Sequence, residues 1–156
     1  MSFLRLMKST GYAIHGLAYL ARHSERKPMQ LREIAGALRM PENYMAKIFQ
    51  TLSRAGLVSV SRGAHRGYRL ARPAKDISLL DVIELYEGPI DKNRCFLDEK
   101  NCALSDQCLF GEFWSGVKKT VRRRLRGTSI EQFLENWPDE ETEYEHGTVI
   151  GKGLSP

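Results

Sequence analysis

Pro41-Glu42-Asn43-Tyr44-Met45-Ala46-Lys47-Ile48-Phe49-Gln50-Thr51-Leu52-Ser53-Arg54-Ala55-Gly56 runs straight into Leu57-Val58-Ser59-Val60-Ser61-Arg62-Gly63-Ala64-His65-Arg66-Gly67-Tyr68-Arg69-Leu70-Ala71. The first part has the period of a helix: Met45, Ile48, Phe49 and Leu52 fall on one side, with Asn43, Lys47, Gln50 and Arg54 largely opposite. Pro41 suits the first turn of that helix, and Gly56 suits the residue just past its end. In the second part the period changes to two. Residues 57–61 and 67–71 alternate apolar and polar around a basic, glycine-bounded loop, Arg62-Gly63-Ala64-His65-Arg66, which is the pattern of a hairpin.

On the N-terminal side, Leu31, Ile34, Ala35 and Leu38 give a second helix over 31–38, joined to the helix at 41–55 by a tight turn at Arg39-Met40. A first helix over 9–23 buries Tyr12, Ala13, Leu17, Leu20 and Ala21, with Gly11 and Gly16 weakening it locally. On the C-terminal side, Pro73 stops the second strand, and 77–86 is a short helix with Leu79, Val82, Ile83 and Tyr86 inward. A polar segment follows, and then a long helix over 109–126. Its narrow apolar stripe is Phe110, Phe113, Trp114, Val117, Val121 and Leu125, opposite Lys118, Lys119, Arg122, Arg123, Arg124 and Arg126. Thr128-Ser129-Ile130-Glu131 has the capping-box pattern for a last short helix. From Trp137 onward, acidic residues and glycines without periodicity read as a disordered tail. Helix, helix, turn, helix and hairpin is the element order of a winged helix-turn-helix. The expected fold is therefore mainly α with a small β wing. Residues 1–88 form the winged domain, 89–108 a cysteine segment, 109–136 a dimerisation helix with a short final helix, and 137–156 a tail.

The 156 residues suit one domain with an arm. Charge is unevenly spread: 14 Lys/Arg against 7 Asp/Glu in residues 1–90, and 10 against 12 in 91–156. A basic front half is the footprint of a phosphate-binding surface. No apolar run approaches a membrane span, and the N-terminus lacks the pattern of a signal peptide. A cytoplasmic protein is expected.

A helix in the major groove reads base edges through its outward polar residues. Asn43, Tyr44, Lys47, Gln50 and Arg54 are the candidates on the helix, and Arg62, His65 and Arg66 on the wing. A reader of palindromic double-stranded DNA needs a two-fold axis. The stripe of the long helix, through Phe110, Trp114, Val117, Val121 and Leu125, resembles a coiled-coil seam and is assigned to a homodimer contact.

The three cysteines, Cys95, Cys102 and Cys108, lie within fourteen residues of polar sequence. An odd, clustered set in a reducing compartment is poor disulfide material. Thiolates are soft ligands for zinc, copper(I) and iron–sulfur clusters. Gaps of six and five are wider than the usual zinc pairs, and they suit a larger object whose irons each take a different sulfur. A zinc or thiol switch remains the alternative. No nucleophile–base pair, phosphate loop or pair of acid/base carboxylates points to an enzyme.

The chain resembles the IscR/NsrR-type family of winged-helix transcription regulators. The likeness is carried by Lys8-Ser9-Thr10-Gly11-Tyr12-Ala13, Leu52-Ser53-Arg54-Ala55-Gly56-Leu57-Val58, the wing from Ser61 through Gly63, Gly67 and Tyr68 to Pro73, and Ile77-Ser78-Leu79-Leu80-Asp81-Val82-Ile83-Glu84. The three-cysteine segment and the long helix then follow in the family's order. The resemblance implies a homodimer joined through the long helices. It implies a 2Fe–2S or 4Fe–4S cluster on Cys95, Cys102 and Cys108, and control of genes for cluster assembly, iron handling or nitric-oxide and redox stress; a dimeric repressor is the expected form of that control. Three departures stand out. The first cysteine gap is six residues where five is usual. Gly111 stands where some members have a ligand histidine, and Gly11 where others have an acidic ligand. His15, one turn after Gly11 on the same face, is the leading candidate for the fourth ligand, supplied by the second subunit, with Asp98, Glu99, Asp106, Glu112 or a water as the alternatives.

Overall fold

A computed structural model describes residues 6–23, 25, 28–63, 66–90, 108–136, 143–145 and 148–150. Six α-helices occur there: α1 (Lys8–Arg22), α2 (Leu31–Ala37), α3 (Glu42–Arg54), α4 (Leu79–Glu87), α5 (Leu109–Arg126) and α6 (Ile130–Glu135). Two antiparallel strand pairs accompany them, β1 (Val58–Ser61) with β2 (Gly67–Leu70), and β3 (Glu143–Glu145) with β4 (Thr148–Ile150). The second pair lies in the stretch expected to be a disordered tail. The wing runs in register from Val58 opposite Leu70 to Ser61 opposite Gly67.

The middle of the fold is α1, which packs against α3, α4 and α6. Ala13, Leu17 and Ala18 are fully buried, and they meet Phe49, Leu52, Ile77, Val82 and Ile130 in one core. Gly16 is the closest point of this packing. A Cβ there would lie 2.8 Å from the Phe49 ring, so the residue read as a weak spot in the helix is what lets α1 sit on α3.

Both helices of the helix-turn-helix unit end in the same way. At the end of α2, the Arg39 N–H donates to Gly36 O at 3.1 Å and the Met40 N–H to Ala35 O at 2.8 Å. At the end of α3, the Gly56 N–H donates to Ser53 O at 3.1 Å and the Leu57 N–H to Leu52 O at 3.0 Å. This is the Schellman arrangement, with an apolar residue, Met40 or Leu57, tucked in behind each turn. The geometry requires a left-handed residue in the middle. Gly56 supplies it at φ 69°, whereas the first turn uses Arg39 at φ 48°. A side chain in that region costs about 1–2 kcal/mol, partly offset by the extra unfolded-state freedom of glycine, about 0.5–1 kcal/mol. Arg39→Gly is therefore expected to raise the thermal midpoint by about 2 °C. Calorimetry checks this, and a fall in the midpoint would contradict it.

Expected helix bounds move by one or two residues: 9–23 becomes 8–22, 31–38 becomes 31–37, 41–55 becomes 42–54 and 77–86 becomes 79–87. Pro41 is the N-cap of α3, with ψ 128°, and the helix begins at Glu42. The capping box of α6 is formed by Ser129 and Gln132, the Ser129 Oγ accepting from the Gln132 N–H at 3.2 Å. Thr128 looks backward instead, its hydroxyl donating to Arg124 O at 2.9 Å. Ser78 and Asp81 form a matching box on α4. The starts of α4 and α6 are joined by Leu79 N–H to Thr128 O and Ile130 N–H to Ile77 O, both 2.8 Å.

Candidate nucleic-acid interface and thiol segment

On α3 the burial follows the sequence period closely. Met45, Ile48, Phe49 and Leu52 are buried, at 3% exposure or less. Asn43, Tyr44, Lys47, Gln50 and Arg54 are all exposed. Asn43, Lys47, Gln50 and Arg54 are spaced four, three and four apart, so they form one continuous polar face. A burial of this kind leaves donors on the outside of a helix fixed by its core side. Tyr44 has an additional support, an edge-on contact with Tyr12 of α1 at 5.5 Å between ring centroids. Tyr12 was read only as part of the core stripe.

The wing places Arg62 and Arg66 at either side of its tip, both exposed. His65 lies outside the described residues. Strand β2 of the wing is anchored by a third chain segment. Met29 N–H donates to Tyr68 O at 3.0 Å, and Tyr68 N–H to Met29 O at 2.8 Å, so residue 29 acts as an extra one-residue strand beside β2. The Tyr68 ring packs edge-on against Phe49 of α3 at 4.9 Å. Wing and recognition helix thus share one support.

Of the three thiols, Cys95 and Cys102 lie outside the described residues. Cys108 is a free, half-buried cysteine at the N-cap of α5, and its side chain makes no capping hydrogen bond. It stands where the cysteine segment joins the long helix. Three clustered thiols, one of them uncommitted at the start of a helix, are a donor set of the soft kind that an iron–sulfur group takes. His15 is half-buried, with its Nδ1 enclosed, and its ring stacks on Phe133 of α6 at 6.3 Å.

The face of α5 differs from the expected division. Lys118, placed on the polar side by its chemistry, is buried at 7% exposure. Arg122, read as solvated, pairs with Glu84 of α4 at 3.6 Å. These two positions belong to the side of α5 that packs on α4, together with Leu125, which packs against the domain core. Trp114, Val117 and Val121 are half-buried. The apolar surface left outside is at the start of the helix, where Phe110 is 38% and Phe113 64% exposed.

At the end of α4, Tyr86 points inward as its place in the apolar stripe predicts, and its hydroxyl makes a contact that the stripe does not reveal. The Tyr86 hydroxyl donates to the main-chain oxygen of Ile48, inside α3, at 3.0 Å. Burial pushes the Tyr86 phenol well above the usual tyrosine range, with a hydrogen bond to Thr51 pulling it down and Tyr44 adding a smaller upward push. It therefore stays a donor throughout the working range of pH. Among the described residues no helix is long and apolar enough to cross a membrane.

Residues 6–136 match the family model Rrf2, described as an iron-dependent transcriptional regulator. The chain is 42% identical over 123 residues to protein aau3 of Rhizobium meliloti, covering 78% of this chain and 75% of that one. It is 29% identical over 133 residues to the HTH-type transcriptional regulator IscR of Xenorhabdus nematophila, covering 85% and 80%. Among solved structures it is similar to CymR, the global cysteine regulator of B. subtilis, with a TM-score of 0.71, 28% identity, and 87% and 100% of the two chains covered. It is also similar to IscR of T. potens, with a TM-score of 0.68, 25% identity, and 92% and 95% covered.

Proposed function

Since the chain belongs to the Rrf2 family and is a DNA-binding transcriptional regulator rather than an enzyme, we propose that it works as a cytoplasmic homodimeric repressor. In this reading its operator affinity follows redox, nitric-oxide or iron–sulfur status. The observation that carries the proposal is the continuous exposed face of Asn43, Lys47, Gln50 and Arg54 on α3, beside a wing bearing Arg62 and Arg66. Such a face contributes base-edge donors from the helix, while the wing cations, with His65, meet phosphates or a minor groove.

Cys95, Cys102 and Cys108 hold the cluster, 2Fe–2S or 4Fe–4S. When bound, it supplies a centre that reacts with oxidants or nitric oxide. His15 from the second subunit provides the fourth ligand through Nε2, because its Nδ1 is enclosed. The remaining steps are those of the chain itself. Cys108 ties the segment to the start of α5. Phe110, Trp114, Val117 and Val121 pair the long helices of two subunits, with Leu125 closing the seam against its own core. Binding at the three thiols would set the separation of the two α3 helices. This is a two-state element biased by a ligand.

The test is anaerobic purification with iron, sulfide and zinc analysis and a visible spectrum. Iron and sulfide near stoichiometry are expected, with loss of more than about 90% of both in Cys102→Ala, because a cluster iron left without its thiolate is labile. His15→Ala should keep the iron but change the spectrum. Colourless protein holding zinc, or no metal after reconstitution, would replace this reading with a zinc or thiol switch on the same DNA-binding dimer.

A further inference from the structure

The last turn of α4 and the three residues after it form a junction of four elements. Glu87 Oε1 accepts from the Met7 N–H at 2.7 Å and the Thr10 hydroxyl at 2.6 Å, fixing the start of α1. Glu84 Oε1 accepts from the Ile90 N–H at 3.2 Å and pairs with Arg122 of α5 at 3.6 Å. Gly88 turns the chain at φ 82°, its N–H donating to Glu84 O at 3.1 Å. Tyr86 reaches the third neighbour, α3, through Ile48 O. The cysteine segment (89–108) starts within this junction.

We infer that Tyr86 is the positioning residue through which the cysteine segment acts on the recognition helix. The inference rests on the sensor reading given above.

The geometry gives the coupling a definite route. Ile90, at the mouth of the segment, is held by Glu84, two residues before Tyr86 on the same rigid turn. The Tyr86 phenol meets α3 at Ile48 O and Thr51, and the Thr51 hydroxyl in turn donates to Lys47 O at 3.1 Å. These contacts span residues 47–51, the stretch that carries Lys47 and Gln50 in the middle of the exposed polar face. A shift of the α4 end therefore moves that face relative to the wing. Hydrogen bonds from a side chain into a helix interior fix the helix's rotation more tightly than apolar contact, because they are directional.

The test is a double-mutant cycle on DNA affinity. It uses full-length protein purified anaerobically and a duplex enriched from a random pool by the wild type. Cys102→Ala perturbs the segment, and Tyr86→Phe removes the hydroxyl but keeps the ring. In the wild-type background Cys102→Ala is expected to change Kd by tenfold or more, in either direction. In the Tyr86→Phe background the change should shrink to less than threefold. A residue with only a structural role would leave the two effects additive, as distant sites are. Equal changes in both backgrounds would overturn the inference and leave the sensor reading standing. No change with Cys102→Ala in the wild-type background would overturn the sensor reading and this inference together. Thr51→Val, which removes the other hydroxyl at the contact, repeats the cycle if Tyr86→Phe does not fold.

Discussion

Gly67→Ala is expected to lower the stability of the protein by roughly 3 kcal/mol, a fall of about 6–12 °C in thermal midpoint for a chain of this size. Gly67 opens β2 and is buried. A Cβ there would stand 2.7 Å from both Met29 O and Pro28 C, and 2.8 Å from Met29 C. All three are main-chain atoms, so no side-chain rotation relieves the clash. The segment before α2 has to move away from β2, and it is held there by the two reciprocal hydrogen bonds of Met29 and Tyr68. Relief of the overlap thus breaks bonds that the fold has no other way to satisfy. Thermal or urea unfolding reads the effect, and a midpoint within 2 °C of wild type would refute it. Because Tyr68 also packs on Phe49, the same variant should bind DNA less well even where it remains folded.

The second large effect concerns DNA. Replacing Lys47, Arg54, Arg62 and Arg66 together by alanine should weaken binding by more than about a hundredfold, since each lost contact of this kind costs roughly 1–3 kcal/mol. The dependence of log K on log salt should flatten by roughly 0.9 for each of the four that meets a phosphate. All four are exposed, and surface substitutions of that sort leave stability nearly unchanged. Removing Arg123 and Arg124, also exposed cations but on α5, separates contact from net charge: that pair should change affinity far less. Unchanged affinity and slope in the fourfold variant would remove α3 and the wing as the binding surface.

The helices and the wing were legible because their signals are local. A period of 3.6 that turns to 2 at Gly56, with a basic loop between two short alternating runs, needs no tertiary partner to be read. The recognition face was legible for the same reason, since Met45, Ile48, Phe49 and Leu52 could only point inward together. Other features depend on a neighbour that no window of sequence contains. Lys118 is polar by type, yet it is buried. Gly16 reads as a weak helix position until Phe49 is placed against it. Ser129 rather than Thr128 starts α6, because Thr128 is occupied with the end of α5. Tyr86 looks like the last residue of an apolar stripe, and its hydroxyl acquires meaning only once Ile48 O is known to lie 3.0 Å away. The cysteines were legible as a candidate ligand set from their type and grouping, and Cys95 and Cys102 lie outside the described residues.

The paired starts of α4 and α6 bear on how the cysteine segment can vary. Leu79 and Ile130 bond across to Thr128 and Ile77, so everything between residues 79 and 128 is a loop already closed at its base. Lengthening a loop of that size by one residue adds only a small entropic cost, well under about 0.6 kcal/mol. The spacing between thiols is then free to drift by insertion while the domain beneath keeps its shape. The six-residue gap between Cys95 and Cys102, one longer than the resemblance implies, is a change that such an architecture can absorb without rebuilding the domain beneath.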